Sequence, residues 1–141
     1  MHIMRSIGQT ERAYNLFRNA RLEKYGLTGY QSLYLRTVCN HPGITQEEMA
    51  AKLVFNKSSV ARQLADLEQE GLILRKRCDK DKRSIRVYPT PEGEALLPLI
   101  RETASDFFAA ISKDLTEEEK ELLDVLCKKL CEGAKEAIRQ K

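Results

Sequence analysis

Amphipathic helical stripes over most of the length, and one short segment of strict alternation, predict a mainly α fold with a small β-hairpin. Leu96, Ile100, Phe107, Ile111 and Leu115 in one stretch, and Leu122, Leu126, Leu130 and Ala134 in another, recur at spacings of four and seven, which places each set on one helical face. The alternation is confined to 72–89. There Ile73, Arg75 and Arg77 fall on one side and Leu72, Leu74, Lys76 and Cys78 on the other, and after a polar turn Ile85 and Val87 stand against Arg86 and Tyr88. With 141 residues, 42% of them hydrophobic, the chain is long enough for one domain with its own core, and 1–141 is read as a single domain.

The elements follow in order from their own start and stop signals. A first helix is expected over 3–24. The second, 28–40, opens on Thr28-Gly29-Tyr30-Gln31 and the third, 45–53, on Thr45-Gln46-Glu47-Glu48. In both, a threonine hydroxyl and a Gln or Glu three residues later can each satisfy a backbone amide that has no partner inside the helix. Asn56 is an N-cap for the fourth helix, 56–70, with Phe55 placed to meet Val60 across the first turn. Gly71 ends it, since glycine takes the left-handed conformation that closes a helix at no steric cost. The hairpin comes next, with its tip at 79–83. Thr90-Pro91 then sets a capping residue before a proline at the first helical position, where the missing amide hydrogen costs nothing, and a long helix is expected to about residue 115. Thr116-Glu117-Glu118-Glu119 opens the last helix on a further capping box.

Composition excludes several classes. No apolar run approaches the roughly 20 residues of a membrane span, and the first residues carry no secretory signal, so no membrane association and a cytoplasmic location are expected. Cys39, Cys78, Cys127 and Cys131 form no Cys-x-x-Cys pair and are read as reduced thiols; Cys127 and Cys131, four apart, share a helical face. The two histidines, His2 and His41, make neither a metal site nor a nucleophile pair, so no catalysis, no metal and no cofactor are expected. The net charge of +3 is modest but unevenly placed. Between Arg75 and Arg86 there are seven basic residues against two acidic ones, so the remainder of the chain is slightly acidic and the basic excess sits in one hairpin. Such a cluster points to a polyanion bound there.

The third and fourth helices are separated by little more than Val54-Phe55, which makes them a compact helix-turn-helix with the second helix as reader. At about 100° per residue, Val60, Leu64 and Leu67 share one side, while Ser58, Arg62 and Gln69 lie opposite. Small residues such as Ser58 and Ser59 let that helix sit deep in a major groove, Arg62 and Gln63 have the donors to address guanine or adenine edges, and Lys57 suits a phosphate. A basic hairpin directly after a helix-turn-helix is the arrangement of a wing. Arg83 at its tip is the candidate for a narrow minor groove, where negative potential concentrates. Asp81 would repel phosphate and is expected to hold Arg83 by a charge-assisted hydrogen bond, while Arg75, Arg77, Lys80, Lys82 and Arg86 are expected to contact phosphates. The fold class is therefore a winged helix-turn-helix with long N- and C-terminal helices.

With these residues in place, the chain resembles the MarR (multiple antibiotic resistance regulator) family over nearly its whole length. The matching segments are Gly26-Leu27-Thr28-x-x-Gln31, Lys57-Ser58-Ser59-Val60 with Leu67-Glu68-x-x-Gly71-Leu72-Ile73, Asp79-x-Asp81-x-Arg83, and Thr90-Pro91-Glu92-Gly93. The resemblance implies a homodimer with intertwined terminal helices, a DNA-binding region at 27–90 flanked by dimerisation helices at 1–26 and 91–141, and a pseudo-palindromic operator in double-stranded DNA. It also implies repression relieved by a small phenolic or lipophilic effector. Tyr14, Phe17, Tyr30, Tyr34, Phe107 and Phe108 are candidates to line the effector pocket. No cysteine stands near the start of the chain, where thiol-oxidation sensors of this family keep theirs. Two rival readings remain open: a winged helix whose basic hairpin binds an acidic protein, and a thiol- or metal-responsive regulator using the cysteines.

Overall fold

The computed structural model describes residues 1–81 and 83–139. Among these residues seven helices and three strands run in the order α1 (Ile3–Leu22), a 3₁₀ turn (Glu23–Tyr25), α2 (Gly29–Asn40), β1 (Ile44–Thr45), α3 (Gln46–Leu53), α4 (Lys57–Gln69), β2 (Ile73–Arg77), β3 (Ile85–Pro89), α5 (Pro91–Ala95), α6 (Leu97–Ile111) and α7 (Glu117–Arg139). The chain divides into two compact units, Met1–Phe107 and Phe108–Lys141.

The helices begin where their caps place them. Thr28 Oγ1 accepts from the Gln31 amide at 3.1 Å while Gln31 Oε1 accepts from the Thr28 amide at 2.9 Å. Thr45, Asn56 and Thr90 accept from the amides of Glu48, Ser59 and Gly93 at 3.0, 2.8 and 3.1 Å. Each bond satisfies an amide that a helix leaves orphaned, and one such cap contributes about 1 kcal/mol. At the far end of α4, Gly71 takes φ +76°, its amide donates to Glu68 O and that of Leu72 to Leu67 O, so the chain turns out of the helix and straight into β2.

Three features depart from the sequence-based expectation. The sheet has three strands in the order β1-β3-β2, because Ile44 and Thr45 pair antiparallel with Val87 and Arg86. Two residues cannot display an alternation, so β1 carries no sequence signal. The expected long helix from residue 91 is broken at Leu96 into α5 and α6. Pro98 explains the break: in a continuous helix its ring would press on the Glu94 carbonyl, and it has no amide hydrogen to donate there. The first helix likewise stops at Leu22 rather than 24, tightening into the 3₁₀ turn that Gly26 closes at φ +75°.

The core of the first unit is built from Leu22, Tyr34, Leu35, Val38, Met49, Val60, Leu64, Leu67, Ile73 and Val87, each at most 1% exposed. Every one of α2, α3, α4 and the sheet contributes, and burying a side chain of this size contributes roughly 1.5–3 kcal/mol. Gly93 is required for this packing, since a Cβ there would come 2.1 Å from the Leu72 carbonyl oxygen. Between α3 and α4, Val54 stands at φ +60°, a conformation that a β-branched residue rarely adopts, and it compresses the connection to three residues.

In the second unit the end of α6 turns through Ser112, whose hydroxyl donates to Phe108 O at 2.6 Å, and Thr116 and Glu119 form the capping box of α7. No residue of α7 is buried. Leu122, Leu123, Val125, Leu126, Leu130 and Ile138 are exposed on it, as are Ile3, Met4 and Ile7 on α1. No helix among the described residues is long and apolar enough to cross a membrane.

Candidate nucleic-acid interface

Helix α4 divides its faces as its periodicity requires. Val60, Leu64 and Leu67 are fully buried, while Lys57, Ser58 and Arg62 are exposed and Ser59 and Gln63 half-buried beside them. The start of this face is fixed by Asn56, whose Oδ1 accepts from both the Ser59 amide and the Ser58 hydroxyl at 2.8 Å. Ser58 thus keeps its oxygen lone pairs outward as acceptors and spends its proton on the cap.

The wing is the β2–β3 hairpin, in register from Ile73 opposite Pro89 to Arg77 opposite Ile85. Beyond the ladder the Cys78 amide donates to Ser84 O and the Ser84 amide to Asp81 O, closing a tight tip. Asp81 Oδ1 accepts from the Arg83 backbone amide at 3.0 Å. The carboxylate therefore shapes the turn through the main chain of Arg83, where a hold on its guanidinium was expected. Lys80 and Arg83 are exposed at this tip, and Arg77 on the strand below it. Lys82 lies outside the described residues.

Two of the expected phosphate ligands are engaged inside the protein. Arg75 is half-buried: its backbone amide donates to Glu68 Oε2 at 3.0 Å, its Nε and one terminal nitrogen to Glu68 Oε1 at 3.2 and 3.0 Å, and the other to Gln46 Oε1 at 3.3 Å. The sequence reading expected a phosphate on this guanidinium, and the structure finds Glu68 and Gln46 there instead. Arg86 is exposed, but donates to the Gly43 carbonyl at 2.8 Å and so ties the wing to the turn before β1.

The short strand β1 has a consequence the sequence conceals. By pairing with β3 it brings the start of α3 beside the wing, so that Thr45, Gln46, Glu47, Lys57, Arg83 and Ser84 line one cleft of about 140 Å³. Lys57 lies 3.7 Å from Glu47 there, with both side chains largely in solvent. The first residues of α3, Lys57 at the head of α4 and Arg83 thereby share one cleft. Helix N-terminal amides and two cations are the groups that bind a phosphate backbone.

The five aromatic candidates of the first unit divide between two clusters. Tyr14 and Phe17 pack on Phe107 with ring centroids 4.9 and 5.2 Å away, and Arg18 covers Tyr14 at 4.1 Å. Tyr30 and the fully buried Tyr34 pack instead on Phe55, at 5.9 and 5.5 Å. Phe108 is exposed in the other unit. Of the five, only Tyr30 lines the open groove of about 640 Å³ that runs past Asn15, Asn19, Thr28 and Gln63. The polar residues of that groove come from α1, α2 and α4, and no local pattern in the chain announces them.

Among the described residues no three His, Cys, Asp or Glu side chains are grouped to hold a metal. Burial raises the Cys39 thiol above its ordinary range. At the wing, the amides of Asp81 and then Lys80, with the Arg86 side chain after them, hold the Cys78 thiol below it. Cys127 and Cys131 are exposed on α7.

Comparison with known proteins agrees with this geometry. Residues 27–85 match the model of the MarR family. The chain is 31% identical over 124 residues to the helix-turn-helix-type transcriptional regulator YybA of Bacillus subtilis, covering 88% of this chain and 83% of that protein. It is 32% identical over 108 residues to the organic hydroperoxide resistance transcriptional regulator of the same species, over 74% and 71% of the two chains. A MarR family transcriptional regulator from Listeria monocytogenes, solved in complex with a 26mer DNA, superposes with a TM-score of 0.90 at 30% identity, covering 95% of this chain and 89% of that one.

Proposed function

The chain belongs to the MarR family of DNA-binding transcriptional regulators, and from that premise we propose that it works as a homodimeric repressor on a pseudo-palindromic operator. Helix α4 enters the major groove with Ser58, Ser59, Arg62 and Gln63 toward base edges, and Arg83 reaches the flanking minor groove. Lys57, Arg77, Lys80 and Lys82 supply phosphate contacts. The observation that carries this reading is the convergence of Lys57, Arg83 and the start of α3 on one cleft at the head of α4. Binding and release take place where the chromosome is, in the cytoplasm.

The apolar faces left open on α1 and α7 support the second copy as their cover. Solvent-facing leucines at this density on a 23-residue helix are the mark of an unfilled interface. Sedimentation at micromolar protein should give about twice the 16.2 kDa chain mass, and a monomeric mass would count against the dimer. The effector is a small phenolic or lipophilic molecule. The groove past Tyr30 supports a site for it, because Gln63 of the reading helix forms part of its wall.

Selecting fragments of genomic DNA on the protein tests the central claim. The enriched sequences should share two half-sites about 10 base pairs apart, the repeat that places two reading helices on one side of the duplex. Failure to bind any duplex at low salt would leave the basic hairpin as a protein-binding surface.

A further inference from the structure

The hydrogen bonds of Arg75 join three elements that the proposed DNA contacts depend on. Glu68 lies in the last third of α4, Arg75 at the middle of β2 and Gln46 at the first position of α3. Both oxygens of Glu68 and the side-chain oxygen of Gln46 are taken by this one arginine, in four bonds of 3.0–3.3 Å. The pair is only partly open to solvent, with side-chain exposures of 25% for Arg75 and 37% for Glu68. Arg75 also sits opposite Val87, midway along the ladder and not at the hairpin tip.

We propose that Glu68, Arg75 and Gln46 are positioning residues: a strut that sets the angle of the wing to the reading helix, and so the spacing between the major-groove and minor-groove contacts. This rests on the DNA-binding reading above and adds a source of sequence discrimination that touches no base. The geometry makes the strut consequential. Arg83 stands four ladder steps beyond Arg75, about 13 Å at about 3.3 Å per residue, so a tilt of about 10° there moves it by about 2 Å. That is more than a hydrogen bond or a narrow groove tolerates. A guanidinium can brace such a hairpin because its planar fork serves several acceptors in fixed directions; a lysine ammonium carries the same charge on a flexible stem without that fork.

Two variants separate a strut from a phosphate contact. Arg75→Lys keeps the positive charge, so a phosphate-contacting role would survive it while a bracing role would not. Glu68→Gln removes an acidic partner and frees Arg75, which should leave general attraction to DNA intact or stronger while loosening the wing. Affinities are measured by fluorescence anisotropy on a selected operator and on a scrambled duplex across a salt series, with circular dichroism and thermal melting to verify the fold. Both variants should lose roughly tenfold on the operator, about the value of one misplaced contact. Arg75→Lys should keep the wild-type salt slope, and Glu68→Gln should bind the scrambled duplex at least as well as wild type.

Wild-type operator affinity in Arg75→Lys would overturn the strut, as would equal losses on both duplexes in a folded Glu68→Gln protein. If Glu68→Gln does not fold, Arg75→Lys alone decides. A wild-type protein that binds no duplex takes down the DNA reading itself, before any variant is compared.

Discussion

Arg83→Ala should weaken operator binding by about 1–3 kcal/mol, a factor of roughly 5 to 150, and flatten its dependence on salt. The residue is exposed at the tip of the wing, where the hydrogen bond from its own backbone amide to Asp81 fixes the turn but leaves the side chain outward. Truncation therefore removes the side chain without removing the turn, and the fold should be unaffected. A guanidinium in the minor groove displaces condensed counterions, and each phosphate charge neutralised adds about 0.9 to the slope of log affinity against log salt. Anisotropy titrations over a series of salt concentrations should show the slope falling by about that amount. Unchanged affinity and slope would mean that the wing tip stays clear of DNA and that the basic excess of the hairpin serves another partner.

Leu64→Ala should lower the free energy of unfolding by about 2–5 kcal/mol, the range for a leucine deleted from a closed core. Leu64 is 0% exposed and stands between Val60 and Leu67, which are equally buried, so the surrounding side chains have no solvent-side freedom to collapse into the gap. The same helix carries the exposed face with Ser58 and Arg62, on the side turned away from the cavity. Urea unfolding at fixed protein concentration measures the loss; fixing the concentration matters because self-association would add to the apparent stability. Operator affinity per folded molecule should change far less than stability does. A loss below about 1 kcal/mol would show that α4 is held by something other than its buried stripe.

What could be read in the chain is what is local. Thr28 and Gln31, Thr45 and Glu48, Asn56 and Ser59, Thr90 and Gly93, and Thr116 and Glu119 are all three residues apart, so the starts of α2, α3, α4, α5 and α7 are each encoded within one turn and appear in the structure at the expected place. The hairpin was legible for the same reason. β1 was not, since a two-residue strand is defined only by its partner more than 40 positions away. Pro98 was visible, but the leucine stripe continues in phase across it and hides the break. Arg75 shows the limit most clearly. As one of seven basic residues in a run it cannot be told from its neighbours, and only the fold brings Glu68 and Gln46 within its reach. The aromatic residues divide between two clusters for a similar reason: ring type and spacing say nothing about which helices cross.

Thr90 occupies a junction whose importance its cap alone does not convey. Its backbone amide donates to Leu72 O, its hydroxyl donates to Gly71 O at 2.7 Å, and that same oxygen accepts from the Gly93 amide at the head of α5. Gly71 is where α4 ends, and Thr90 directly follows β3. One hydroxyl thus links the tail of the reading helix, the root of the wing and the first turn of α5. With Gly93 packed too closely on Leu72 for even a methyl group, the joint has little slack. A displacement of α5 that keeps the Thr90 contacts must carry the end of α4 and the base of the wing with it. The joint ties the first turn of α5 to the DNA-binding half as a handle is tied to its tool.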